Sequence, residues 1–184
     1  MPETIKAMKG KNKVEALSLF ARKSAKASGV KSKLFADMFE KDALGVPLPS
    51  NNIFWSISHK PDFVAGVVSV QKVGIDIEKI KDVSDAVFKK IVDAKERACF
   101  ISQDKTIVFF RAFTAKEAVL KKTGHGIKGL SKAKIKMVVD DKNLVVQYLD
   151  KKYLVENIYF DGYLASITKD DVDVQWTINL FKEK

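Results

Sequence analysis

The stretch "VGIDIEKI", residues 73–80, decides how the rest of the chain is read. In a β-strand, residues two apart point to one face, so Ile75 and Ile77 would enter a core while Asp76 and Glu78 stand together on the other side. Like charges that close repel. They persist where solvent reaches them, where one holds a proton, or where a cation lies between them.

Upstream of this strand, the apolar spacing of Leu17, Leu19, Phe20 and Ala21 predicts a short helix over residues 14–27. A second helix is expected over 32–44, where Gly45, Pro47 and Pro49 break the pattern. Two strands follow, over 53–58 and 63–70. The second is apolar on both faces, as a central strand would be. Downstream, 84–91 and 93–101 read as short helices and 104–123 as a longer one, with Asp104 able to cap its start and Gly124 to end it. Strands are expected over 134–139, 144–149, 153–160, 163–168 and 172–180. The last alternates strictly, Val172, Val174, Trp176, Ile178 and Leu180 against polar neighbours. Helices then strands, followed by a strand, helices and strands again, give an α+β class with two similar lobes sharing a core. Residues 1–72 would form the N-terminal lobe and 73–184 the C-terminal lobe.

Composition narrows the function classes. The chain of 184 residues has a formal net charge of +10, which points to anionic partners: nucleic acid, phosphorylated small molecules, acidic proteins or a membrane surface. Its single cysteine, Cys99, rules out an internal disulfide and any multi-cysteine metal site, and fits a reducing cytosol. The N-terminus has no signal-peptide pattern, and no segment reaches the roughly 18 apolar residues of a membrane span. A cytoplasmic protein without a membrane partner is the expectation.

Three elements could carry chemistry. "SISH", residues 56–59, ends a strand and offers a hydroxyl and an imidazole to a phosphate. Asp76 and Glu78 form the second. The third is "FTAKEAVLKK", residues 113–122, where Glu117 and Lys121 are four apart and share a helix face with Phe113. Singly, each has an ordinary reading: a surface histidine, solvated strand acids, or an exposed ion pair worth about a few tenths of a kcal/mol. Together, three carboxylates with lysines behind them suit Mg²⁺ and a phosphorylated ligand. Gly124 and Gly126 allow a tight reversal after the helix. His125 is given no role.

These residues resemble the 4′-phosphopantetheinyl transferases. That family's marks are a glycine-isoleucine-aspartate-x-glutamate strand and a helix with (Trp/Phe)-x-x-Lys-Glu-(Ala/Ser)-x-x-Lys, matched here by Gly74 to Glu78 and by Phe113 to Lys121. "SISH" resembles the serine-histidine motif of the larger, surfactin-synthetase-activating type, whose members are monomers of two similar lobes. The resemblance runs from about Gly45 to Leu130. It implies that Mg²⁺ and coenzyme A bind between the lobes, and that a carrier-protein serine attacks the β-phosphate, taking phosphopantetheine and releasing adenosine 3′,5′-bisphosphate. Asp76, Glu78 and Glu117 would hold the metal, and Glu117, directly or through a metal-bound water, would take the serine proton. Lys121 and Lys116 would neutralise phosphate charge, and Ser58 and His59 would contact phosphates of coenzyme A. Glu96 falls where some relatives place a further carboxylate near the metal. The partner would be an acidic apo acyl or peptidyl carrier, met by the positive surface of this chain.

The sequence departs from the family near its start. The basic N-terminal portion of the larger type is short here, and Val46 stands where a lysine is common. Lys13, together with Lys11, could supply charge for the 3′-phosphate beside a helix N-terminus. Two other readings stay open. One is a basic nucleic-acid-binding protein stacking bases on Phe54, Trp55 and Phe63, and the other, within the same superfamily, is a shorter trimeric holo-carrier synthase. A Mg²⁺-dependent nuclease would share the strand-borne acids but leaves "SISH" unexplained.

Overall fold

A computed structural model of the chain describes residues 1–179. A short helix α1 (Glu3–Ala7) leads into the long α2 (Gly10–Ser32), followed by a hairpin of β1 (Phe54–His59) and β2 (Val64–Ser69). Next come β3 (Ile75–Lys79), α3 (Asp85–Ile91), α4 (Ala94–Ala98), α5 (Lys105–Thr123) and a 3₁₀ turn at Ile127–Lys132. The chain continues through β4 (Ala133–Val138), β5 (Asn143–Tyr148), β6 (Lys151–Phe160) and β7 (Tyr163–Thr168). The class is α+β. One sheet has two strands, β1 and β2, and the other runs β3-β7-β6-β5-β4, antiparallel throughout. Among the described residues, no helix is long and apolar enough to cross a membrane.

Helix α5 organises the larger sheet. Asp104 caps it, its carboxylate accepting the N–H groups of Thr106 and Ile107 at 2.7 and 3.2 Å. Gly124 ends it with φ 76°. Val108, Ala112, Ala115, Val119 and Leu120 pack with Ile135, Leu144, Val146, Tyr148 and Val155 in the main core. Arg111 is buried beside them and donates to Asn157 Oδ1 (3.1 Å), Gln103 Oε1 (2.8 Å) and the Asp140 carbonyl (2.9 Å). Asn157 in turn donates to Ser166 Oγ at 2.6 Å, and Ser166 meets Thr114 Oγ1 at 2.5 Å. A satisfied polar chain of this kind fixes the rotation of α5 on β6 and β7, because any turn of the helix would strand a buried donor. Phe113 and Glu117 are thereby set toward the hairpin.

Three expectations are corrected. No helix forms over 32–44. Lys33, at φ 57°, closes α2, and the chain then folds back through Asp42, whose Oδ1 accepts the N–H groups of Leu44 and Val46 at 2.9 and 2.8 Å. Leu34 and Phe39 pack on the hairpin core one at a time, Phe39 edge-on to Trp55 at 5.2 Å, so their spacing carries no helical period. Strand β2 is not central. It pairs with β1 alone, and both its faces are apolar because both are covered: Val64 and Val68 lie in the cluster that α2 forms with Ala21 and Ala25, and Ala65 and Val67 lie against Val73, Ile75 and Ile167. Residues 172–179 form no ladder; burial alternates over 172–177 as a strand's would, but Ile178 is exposed. Leu180 lies outside the described residues.

Candidate active site

Strand β3 behaves as its sequence requires: Ile75 and Ile77 are buried in apolar clusters, and Asp76 is turned the other way. Gly74 lets β3 approach α5, since a Cβ there would lie 1.8 Å from the Ala118 carbonyl oxygen. Strand β1 meets β3 on its free side, but through side chains. Ile75 N–H donates to Ser56 Oγ at 3.1 Å and Ile77 N–H to Ser58 Oγ at 3.3 Å, while Ser58 donates its own proton to Asp76 Oδ1 at 2.8 Å.

This seam opens into a cleft of ≈ 350 Å³, within the usual range for small-molecule sites. It is lined by Ser58, His59 and Lys60 from the end of β1, Asp76 and Glu78 from β3, Phe113, Glu117 and Lys121 from α5, and Lys41 from the loop after α2. A larger hollow of ≈ 520 Å³ lies beside Gln71, Tyr153 and Asp170, but there the Asp170 carboxylate is already engaged by Lys122 and by the Leu154 N–H.

The charges in the cleft are only partly paired. Lys121 Nζ reaches Asp76 Oδ1 at 2.8 Å and the carbonyls of Ile75 and Ile57 at 2.9 and 3.3 Å, so it bridges β3 and β1 rather than pairing with Glu117 on its own helix. Lys60 holds Glu78 Oε1 at 2.6 Å. Asp76 Oδ2 and Glu117 Oε1 are buried and accept no hydrogen bond. Burial, then the charge of Asp76, pushes the Glu117 carboxyl up to about 7, and burial also raises Glu78. On the opposite wall, burial and then Lys121, Lys41 and Lys60 push the His59 imidazole below its ordinary value.

Buried carboxylate oxygens without donors are what a hard cation needs, since it would satisfy both at once and offset their repulsion. The donor set therefore fits a divalent ion. As the side chains stand, no three His, Cys, Asp or Glu among the described residues are drawn into an ion-holding cluster, because Lys60 and Lys121 hold two of the acids.

Two expected site residues are not brought to the cleft. Lys116 lies on another face of α5, 1 % exposed, with Nζ 2.6 Å from Glu96 Oε1 and 2.5 Å from the Ile91 carbonyl. Glu96, outside the cleft lining, also accepts the N–H groups of Asp93 (3.0 Å) and Ile135 (2.7 Å) and closes a capping box on α4. Lys13 folds back on the Lys6 carbonyl at 3.1 Å, away from the cleft lining. Lys41 and Lys60 were missed. Lys60 directly follows "SISH", and that adjacency was the available signal; Lys41 reaches the cleft through a bridge between Lys41 and Pro47 that no local pattern announces. Val46 is an apolar neighbour of the α5 end, where a Cβ added at Gly124 would lie 3.5 Å from Val46 Cγ1, at the position where a lysine is common in the family. Trp55, offered as a stacking residue, is 3 % exposed and donates to the Leu48 carbonyl at 2.8 Å.

The model of the 4′-phosphopantetheinyl transferase superfamily matches residues 72–168, from just before β3 to the end of β7. The chain belongs to this superfamily. Within it, the chain is 36% identical over 100 residues to the 4′-phosphopantetheinyl transferase psf-1 of Bacillus pumilus, covering 51% of this chain and 43% of that one. It is 31% identical over 101 residues to the 4′-phosphopantetheinyl transferase HetI of Nostoc sp., with 52% and 43% covered. To the 4′-phosphopantetheinyl transferase gsp of Aneurinibacillus migulanus it is 29% identical over 93 residues, with 49% and 39% covered. The chain spans less than half the length of the curated relatives it matches. The superfamily match contains Asp76, Glu78, Glu117 and Lys121, whereas Lys41, Ser58, His59 and Lys60 lie before it.

Proposed function

We propose that the chain transfers the 4′-phosphopantetheine group of coenzyme A to a serine of an acidic apo acyl or peptidyl carrier protein, with Mg²⁺, releasing adenosine 3′,5′-bisphosphate. The observation that carries this reading is one cleft in which buried, unpartnered oxygens of Asp76 and Glu117 share a lining with Lys41, from the loop before β1, and Lys60, directly after it. Asp76, Glu78 and Glu117 would hold the metal, whose charge would neutralise the diphosphate oxygens. Lys41, Lys60 and His59 would bind phosphate oxygens, with Ser58 as a further donor, and Lys121 would stabilise charge on the leaving phosphate. The carrier serine oxygen forms a bond to the β-phosphorus, and the bond from that phosphorus to the bridging oxygen breaks, the electron pair leaving with adenosine 3′,5′-bisphosphate. Glu117, directly or through a metal-bound water, would take the serine proton.

On this reading the α2–β1–β2 half and the half built on α5 act as two lobes of one chain, which works as a monomer in the cytoplasm. Sedimentation should give the 20.6 kDa mass of the single chain; a stable trimer would favour the holo-carrier synthase arrangement. The transfer is tested by mixing the protein with coenzyme A, Mg²⁺ and a panel of apo carriers and reading the carrier mass. A gain of phosphopantetheine is expected, and an unmodified panel would count against the reading.

A further inference from the structure

The chain beyond β7 crosses behind the seam on which the cleft is built. Val174 and Trp176 pack against the buried cluster of Val73, Ile75 and Ile167, on which Ala65 and Val67 of β2 also rest. Trp176 reaches further, to the cluster of Ile77, Tyr163 and Ala165 that includes Phe63 of the hairpin turn. Its indole N–H donates to Glu156 Oε1 on β6 at 2.8 Å, and the next residue, Thr177, accepts from Lys31 Nζ of α2 at 2.9 Å. The segment therefore touches both sheets and the helix over the smaller one.

Its target is informative. Ile75 and Ile77 are the residues of β3 that alternate with Asp76, so a side chain pressed on them from behind sets how far Asp76 stands into the cleft. On the cleft side, β1 and β3 are held together by the hydroxyls of Ser56 and Ser58 rather than by a backbone ladder. Hydrogen bonds of this kind are lost with a separation of well under 1 Å.

We infer that Trp176 is a positioning residue, which with Val174 clamps the β1–β2 hairpin to β3 and so keeps Ser58 against Asp76. The clamp itself is a statement about the seam; only its consequence for coenzyme A rests on the proposed transferase reading.

Amide hydrogen exchange tests it without any ligand. The exchange rates of the Ile75 and Ile77 amides, divided by that of Val155 in the middle of the larger sheet, should rise about tenfold in Trp176→Ala, less in Val174→Ala, and return to within about threefold of wild type in Trp176→Phe. Val146→Ala, a change in the core cluster that also holds Val155, should lower thermal stability and raise the Val155 rate at least as much as those of Ile75 and Ile77, so that this ratio does not rise. A ratio unaltered in Trp176→Ala overturns the clamp, and if that variant does not fold, an unaltered ratio in Val174→Ala overturns it equally. In the binding arm, Trp176→Ala should weaken coenzyme A about tenfold and Val146→Ala should not. Wild-type protein that binds no coenzyme A would refute the transferase reading, and the exchange ratio would still decide the clamp.

Discussion

Gly66 on β2 and Gly74 just before β3 do the same job beneath different helices. A Cβ on Gly66 would lie 2.3 Å from the backbone nitrogen of Ala25, and one on Gly74 1.8 Å from the carbonyl oxygen of Ala118, so α2 and α5 each rest directly on a strand. What the two halves bring to the cleft is opposite. The hairpin half supplies Lys41, Ser58, His59 and Lys60; the larger half supplies Asp76, Glu78 and Glu117, with Lys121 reaching across to the seam. On both walls burial, and then neighbouring charges, disfavour the ionised form of one group. His59 is accordingly pushed down and Glu117 up, in both cases chiefly by burial. A ligand with phosphate oxygens for one wall and a cation for the other would relieve both.

The sharpest break in this comparison is a lysine that belongs to neither wall. Lys116 and Glu96 are both 2 % exposed in their side chains, and Lys116→Met would leave the Glu96 carboxylate buried without its cation. Unfolding experiments should show a loss of about 3–5 kcal/mol. Coenzyme A affinity, measured where the variant remains folded, should not change; a large loss of affinity would return Lys116 to the cleft.

Glu117→Gln tests the acidic wall, keeping shape while removing charge. Turnover should fall by roughly 10² or more with the fold retained. Near-wild-type turnover would remove Glu117 from the chemistry even if transfer were demonstrated.

A smaller contrast separates neighbours on α5. Lys121→Met should slow transfer by about tenfold through lost phosphate stabilisation. Lys122→Met, whose ammonium engages Asp170 and lies over Tyr153, should leave turnover within about twofold. Equal effects would mean that the helix face, and not the cleft, sets the response.

The sequence made the larger half legible and the smaller one only in part. Asp104, Gly124 and the period between them marked α5 because caps and helical spacing are local signals. The "GIDIE" alternation marked β3 for the same reason, and it placed Asp76 and Glu78 on one side. Glu117 and Lys121 share a face because they are four apart, but their partners come from β3, a relation of tertiary structure that helix spacing does not contain. Lys116 was assigned to phosphate through its place in a motif, although one residue along a helix turns the side chain about 100° from Glu117. Residues 33–53 could not be read because individual contacts, Phe39 on Trp55 and Ser50 with the Asp37 and Met38 amides, hold them in place of any period. The apolar alternation at 172–179 has no neighbouring strand behind it: Val174 and Trp176 are taken up by a packed surface, while Ile178 is exposed.

The weakest expected effect concerns pH and the basic wall. A folded-state value for His59 below its ordinary 6.5 means that the unfolded chain takes up the proton first. The stability this contributes is fully present above about pH 6.5 and is lost as pH falls from there toward the folded value. Urea unfolding across that window should show a shallower decline in His59→Gln than in wild type. An identical decline would mean that His59 is as well hydrated in the fold as outside it.

The most direct test of the cleft as a meeting of two walls is the magnesium dependence of coenzyme A binding, followed by calorimetry. Wild-type protein should bind coenzyme A at least about tenfold more tightly with Mg²⁺ than after exhaustive chelation, and that difference should vanish in Glu117→Gln. Equal affinity with and without the ion would contradict the account, because the buried oxygens of Asp76 and Glu117 would then have no part in holding the ligand.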